Sequence, residues 1–316
     1  MTPDAAPARP SLLRTWLIAA RPWALPASTM PVIFGTSLAV VIGGAPLVWG
    51  RFVLALAGMM VLHSAANMMS DVYDFRHGLD RDVTPVSGAV VRGWLTWRQV
   101  AAASVVLFIA GSAVGLLLVF LTSPVLLWVG AVGVAVGAFY TLLKAYALGD
   151  LAVFLDFGLL GALGAWVVQT KSFSWLPVVW TVPMAMLVSA ILHANNWRDA
   201  ISDQERRVRT VGGLLGDRGS LIYYGFLIFG PFVIDLGFIF VPRLLARSLP
   251  ALPLTFLLVL LALPSALSLW GRALRRHAPR KPLDFVILDG ATARHNLVFG
   301  LLSVAAVWLE ALLRAL

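Results

Sequence analysis

Asparagine is scarce in this sequence: Asn67, Asn195, Asn196 and Asn296 are the only four. Three of them head runs of acid. The first run is Asn67-x3-Asp71-x2-Asp74 and the second is Asn195-x3-Asp199-x3-Asp203. Residues at i, i+4 and i+7 or i+8 share one face of an α-helix, so each run predicts a stripe of one amide and two carboxylates. The chain has no cysteine, and such stripes make a hard-oxygen environment. That environment suits Mg²⁺, which takes one or two protein carboxylates and fills its shell with water and phosphate oxygens. Two facing stripes predict metal held around a diphosphate, with Asp71, Asp74, Asp199, Asp203 and Asn67 as the ligands. The competing reading is solvated loop acid beside basic loops. A single DxxD run favours that reading; a matched pair does not.

Basic side chains accompany both runs. Arg92 follows Pro85 and Ser87-Gly88, Lys144 follows Tyr140, and Arg206, Arg207 and Arg209 follow the second stripe. Ammonium and guanidinium groups there can neutralise a diphosphate leaving group. The general excess of Lys and Arg in cytoplasmic loops explains the same residues without a site. Asp80 is expected to bind or support the metal from a loop that can close over the substrate, and Asp82 to be an ordinary loop acid. Asp156 and Asp235 fall inside apolar stretches, where a carboxylate is a functional suspect. They support a rival reading as a secondary transporter, against which most of the acid lies at one rim.

The elements that must position these stripes follow from composition. The 316 residues are 60% hydrophobic and 12% charged, with a mean hydropathy of +0.88. Several apolar runs reach the ~20 residues that cross a bilayer. These values predict an all-α integral membrane protein. In that setting the net charge of +9 indicates loops facing anionic lipid and not a nucleic-acid surface. Breaks at charged and turn-rich stretches predict nine transmembrane helices near 22–43, 52–71, 100–121, 124–143, 150–170, 175–197, 221–241, 251–271 and 294–315. Residues 1–21 are expected to form a cytoplasmic N-terminal tail ahead of one membrane domain, 22–316. Nine spans put 19 of the 24 Lys and Arg on the side of the N-terminus, which predicts that this side is cytoplasmic. Both acidic runs then emerge on it.

The two motifs resemble those of the UbiA superfamily of intramembrane prenyltransferases, and most of all its 1,4-dihydroxy-2-naphthoate polyprenyltransferase subgroup, the MenA type. The subgroup's first motif, roughly Asn-x-x-Asn-Asp-Tyr-x-Asp-x5-Asp, is matched by Asn67, Asp71, Asp74 and Asp80. Its second, Asn-Asn-x-Arg-Asp-x3-Asp-x3-Gly-Lys-Arg-Thr, is matched by Asn195, Asn196, Arg198, Asp199, Asp203, Arg209 and Thr210. Further similarity lies in ARPWALPASTMPVIFG (20–35), SGAVVRGWLT (87–96), ALGDLAVFLDFG (147–158), VQTKSFSW (168–175) and ATARHNLVFG (291–300). It covers nearly the whole chain. Ser70 and Val72 depart from the first motif, and Arg207-Val208 stands where the second has Gly-Lys.

The resemblance implies a nine-helix membrane enzyme of the inner membrane. It implies Mg²⁺-dependent transfer of a polyprenyl group from a polyprenyl diphosphate to an aromatic acid. For dihydroxynaphthoate, loss of the carboxyl group would give demethylmenaquinone, a step of menaquinone synthesis. The catalytic set is then Asp71, Asp74, Asp199, Asp203, Asn67 and Asn195. Substrates would be contacted by Asn196, Arg198, Lys144, Arg92, Arg207, Arg209, Asp80 and Tyr140. The same fold with 4-hydroxybenzoate, homogentisate or a non-aromatic lipid as acceptor is the alternative.

Overall fold

The computed structural model describes residues 10–78, 88–205, 208–245, 250–275 and 288–316. Among these the chain is all-helical, without a named strand. The segment expected as a tail carries a helix, α1 (Leu12–Ala20), which leads through a 3-10 turn (Pro22–Ala24) into α2 (Pro26–Val41), bent by 54° from it. Then follow α3 (Trp49–Arg76), α4 (Trp97–Leu121), α5 (Val125–Ala138) and the short α6 (Tyr140–Ala145). A composite rod comprises α7 (Gly149–Val153), a π-helical stretch (Phe154–Leu160) and α8 (Gly161–Thr170). The second half holds α9 (Trp175–Trp180), α10 (Val182–Glu205) and α11 (Val211–Leu244), kinked at Gly216. A 3-10 stretch (Leu254–Ala262), α12 (Leu263–Leu274) and α13 (Leu288–Ala315) complete it.

Six of the described helices are long and apolar enough to cross a membrane, and seven if the bent pair is one span. The nine-span expectation therefore stands two short on length and apolarity. The two missing stretches are helical nevertheless. α5 has only 14 residues, and the end of α10 carries the polar residues of the second motif, which dilute its apolar run.

Each motif closes the long helix of an antiparallel pair. α3 packs along α4 and α10 along α11. α3 stops at Gly78, whose φ of +67° is the left-handed conformation that ends helices. α4 begins with a reciprocal cap: Thr96 Oγ1 accepts from the Gln99 amide, and Gln99 Oε1 accepts from the Thr96 amide at 2.9 Å. In lipid, helices associate through close approach of small residues and through hydrogen bonds. Gly35 of α2 shows the first device, because a Cβ there would lie 2.2 Å from the Ala162 carbonyl oxygen of α8. Ser104 of α4, donating to the Ala65 carbonyl of α3 at 2.7 Å, shows the second. The main core joins α2, α8, α10, α11, the second 3-10 stretch and α13 through Phe34, Trp166, Leu187, Phe232, Phe256 and Phe299.

Candidate active site

The first motif lies on the last turns of α3 and is closed in by the N-terminal segment. Asn67 Nδ2 donates to the Ala20 carbonyl at 3.4 Å. Asp71 is 1% exposed; its Oδ1 lies 3.3 Å from the Arg21 guanidinium and its Oδ2 accepts from the Val90 amide at 3.5 Å. Ala19, Met68, Val72, Ala89, Val90 and Leu95 form a small apolar cluster around this contact. α1 is thus held against α3, and Arg21 is delivered to Asp71. Gly88 is required there, since a Cβ at that position would stand 2.0 Å from Asp71 Oδ1. Asp74 Oδ2 accepts from Ser70 at 3.4 Å and faces Lys144 Nζ at 3.8 Å.

The second motif lies on the end of α10. Arg198 grips Asp199 with two nearly parallel bonds of 2.9 and 2.8 Å, and its Nη1 donates to Asp289 of α13 at 2.8 Å. Asn195 Nδ2 donates to the same Asp289 oxygen at 3.4 Å. Asn196 turns the other way, to Asp150 Oδ1 of α7 at 3.3 Å. Behind it, His193 is fully buried, with Nδ1 3.4 Å from Asp150 Oδ2 and Nε2 3.2 Å from the Ser220 carbonyl of α11. This polar chain fixes α7 and α11 against the motif.

The two motifs meet at Lys144. Burial alone would lower its pKa, but Asp74, the Tyr140 oxygen and the carboxylates of Asp203 and Asp199 outweigh that and hold it above its ordinary value. One ammonium group is thus within the field of both stripes. The end of its helix is tied to the segment after the second motif, where the Arg209 amide donates to the Ala145 carbonyl at 3.2 Å. The Arg209 residue is exposed. Arg92 stacks over the Trp94 ring, 5.0 Å from its centroid, in the loop that brings Gly88 to Asp71. Asp80 and Arg207 lie outside the described residues.

Below this charged rim the site becomes apolar. Ala27, Val153 and Val188 form a floor with Tyr140, Phe157 and Ile191 packed against it. Phe157 also lines a cavity of about 330 Å³ between α3, α4, α5 and the π-helical rod, together with Leu62, Ala66, Phe108, Gly133 and Asp156. Asp235 is buried, at 3% exposure, on α11. The sequence reading missed Arg21 as a partner of Asp71, Gly88, Asp150, His193 and Asp289. Arg21, Gly88, Asp150 and Asp289 each touch a motif residue from a distant segment, and His193 backs the second motif through Asp150; nothing in their local spacing announces these contacts.

Among the described residues no three acidic or histidine side chains are clustered closely enough to cage an ion by themselves. An all-oxygen donor set spread over two stripes with a lysine between them fits a metal that draws most of its shell from a bound diphosphate. The fold and this arrangement define a multi-pass membrane enzyme with a polar head site above an apolar chamber. Residues 28–288 match the UbiA prenyltransferase family. The UbiA prenyltransferase domain-containing protein 1 of Homo sapiens is 32% identical over 303 residues, covering 93% of this chain and 83% of that protein. The Drosophila melanogaster homolog is 31% identical, covering 93% and 79%. The chain belongs to the UbiA prenyltransferase family, whose members are prenyltransferases. The relatives' names give the family and not the dihydroxynaphthoate subgroup, so the resemblance holds at family level.

Solved structures agree in fold. A UbiA homolog from Aeropyrum pernix K1 superposes with a TM-score of 0.65 at 16% identity, over 90% of this chain and 97% of that one. A UbiA homolog from Archaeoglobus fulgidus bound to DMAPP and Mg²⁺ gives 0.60 at 15% identity, over 92% and 99%.

Proposed function

We propose that the protein transfers a polyprenyl group from a polyprenyl diphosphate to an aromatic acid, with Mg²⁺ at the two aspartate stripes. The observation that carries this reading is Lys144 Nζ standing 3.8 Å from Asp74 of the first stripe, on a helix whose Ala145 carbonyl accepts from the Arg209 amide of the segment after the second stripe. An ammonium so placed suits a ligand that is itself a metal–anion complex. The Archaeoglobus neighbour, bound to DMAPP and Mg²⁺, supports the same substrate class.

In this mechanism Asp71, Asp74, Asp199 and Asp203, with Asn67, hold Mg²⁺, which supplies Lewis-acid stabilisation of the leaving diphosphate. Lys144 adds positive charge where negative charge develops as the allylic carbon–oxygen bond breaks. Arg198 orients Asp199, and Asn195 and Asp289 hold Arg198. The apolar floor excludes water from the allylic cation, and the cavity beyond Phe157 takes the prenyl tail. The electron-rich ring attacks the cation, forms the carbon–carbon bond, and then loses a group from the attacked carbon to regain aromaticity. For 1,4-dihydroxy-2-naphthoate that group is the carboxyl. It is the acceptor we favour, on the motif resemblance.

We also propose nine spans with a cytoplasmic N-terminus in an inner membrane. The stretches 22–43, 124–143 and 175–197 join the six long helices. The segregation of Lys and Arg supports this topology.

The test is incubation of purified protein with labelled polyprenyl diphosphate, Mg²⁺ and a panel of aromatic acids, read by product mass. Transfer abolished by EDTA and restored by Mg²⁺ is expected. Transfer that survives EDTA overturns the metal role, and a dihydroxynaphthoate product that keeps its carboxyl overturns the favoured acceptor.

A further inference from the structure

His63 sits on α3 one turn before Asn67, on the same face as Asn67, Asp71 and Asp74. It lies ~6 Å along the helix axis from Asn67 and ~12 Å from Asp71. It is 3% exposed. Its Nδ1 lies 2.7 Å from Ser28 Oγ of α2, and its ring stacks on Phe157, centroids 4.3 Å apart. Phe157 belongs both to the apolar floor and to the wall of the tail cavity. The histidine therefore stands where the head site, the floor and the cavity adjoin.

Its protonation state follows from the neighbours of Ser28. The alternative acceptor for the Ser28 hydroxyl is the Leu25 carbonyl, at the longer distance of 3.2 Å. That oxygen already accepts from the amides of Ser28 and Thr29 at 3.0 and 2.9 Å and from Thr29 Oγ1 at 3.0 Å. The Leu25 carbonyl is crowded by these donors, so we assign the Ser28 proton to the shorter contact, with His63 Nδ1. A neutral imidazole that accepts at Nδ1 carries its hydrogen on Nε2. That N–H has no protein acceptor among the described residues. The atom is not one of the fully buried side-chain atoms that lack a partner, so Nε2 keeps accessible surface through which a ligand oxygen can reach it.

We propose that His63 Nε2–H donates a hydrogen bond to a ring oxygen of the aromatic acceptor and so orients the attacked carbon toward the allylic cation. The inference rests on the transferase reading above and adds the residue that holds the second substrate. The acceptor suits this position better than the diphosphate, because the carboxylates that would hold its metal, Asp71 and Asp74, lie two turns and more up the helix and only Asn67 of the ligand set is one turn away. A flat ring on the floor beside Phe157 is within reach.

The test compares wild type with His63→Leu, His63→Gln and Ser28→Ala. Binding of 1,4-dihydroxy-2-naphthoate without donor is read by quenching of tryptophan fluorescence, and the KM for each substrate by transfer assays. A glutamine amide places an N–H near the position of Nε2. Ser28→Ala removes the donor that pins the tautomer. His63→Leu is expected to weaken acceptor binding and raise the acceptor KM by about 10- to 100-fold, leaving the donor KM within about twofold. His63→Gln is expected to recover most of the loss, and Ser28→Ala to fall between. The proposal is overturned if His63→Leu binds acceptor normally, if the donor KM rises equally, or if glutamine does no better than leucine. Should His63→Leu fail to fold, the order of glutamine and Ser28→Ala against wild type decides. Histidine-dependent binding without any transfer would sink the transferase reading and spare this one.

Discussion

Asp71 and Lys144 carry two kinds of charge compensation, and they respond differently to substitution. Asp71 is held between Arg21 and the 88–90 backbone, with no space on the Gly88 side for an added methyl group. Gly88→Ala puts a methyl group 2.0 Å from its Oδ1 and must displace either the carboxylate or the loop. We expect a loss of about 1–3 kcal/mol in stability and a matching loss of transfer activity, read by thermal unfolding in detergent and by product formation. Lys144 holds its proton through the carboxylates around it. A folded-state pKa raised above the ordinary value contributes stability at every pH below that value, lost only as pH climbs through the raised one. No alkaline limb of a pH–rate profile below about pH 10 should therefore trace to Lys144. Lys144→Gln is expected to lower kcat by about 100-fold and to lower the unfolding temperature, because the carboxylates around it lose their counter-charge; a wild-type kcat would remove the lysine from the leaving-group site. The acidic stripes were legible because Asn and Asp recur at helical spacing in an otherwise oily chain. Gly88 was not, because its reason is a contact across a loop.

Helices set which of these residues can act together. α13 contributes Asp289 in its first turn, and that carboxylate is the shared acceptor for Arg198 and Asn195. Asp289→Asn removes the charge opposite a buried guanidinium, so Arg198 is freed to swing or to over-neutralise Asp199. We expect about a tenfold loss in kcat/KM for the diphosphate donor, in line with truncating a charge-assisted hydrogen bond. An unchanged value would show that Arg198 is positioned by Asp199 alone. α1 falls within the segment read as a tail ahead of the first span. Its apolar residues and its Arg21 look like a tail before a first span, yet Ala19 is buried and packs beside Met68 and Val72. Spacing along one segment carries no information about which other segment will cover it.

At the scale of the whole molecule, the absence of native cysteine makes the number of bilayer crossings directly measurable. Single cysteines at Pro46 and Ser172 are expected to react from one side only, and at Gln99 and Gln204 from the other. The pairing of Pro46 with Ser172 has local support: the Val48 amide donates to Gln169 Oε1 at 3.1 Å and the Gln169 amide returns a bond to the Val48 carbonyl, so the two loops share one end of the bundle. Labelling of Gln99 and Ser172 from the same side would break the nine-span topology while leaving the family assignment intact.

By itself the amino-acid sequence determined that this is an all-helical membrane protein, that acid is concentrated in two Asn-headed stripes, and that hard metal and phosphate chemistry suits them. Those properties are local or compositional: apolar run length, helical period and the oxygen chemistry of the side chains. Tertiary structure alone decided that Lys144 faces Asp74 of the first stripe, that Arg21, Gly88, Asp150 and Asp289 pack against the stripes, and that His63 stacks on Phe157 beside the apolar cluster. These are contacts between segments far apart in the chain. Their geometry comes from how helices close on one another through small residues and shared hydrogen bonds, which no periodicity along a single segment encodes.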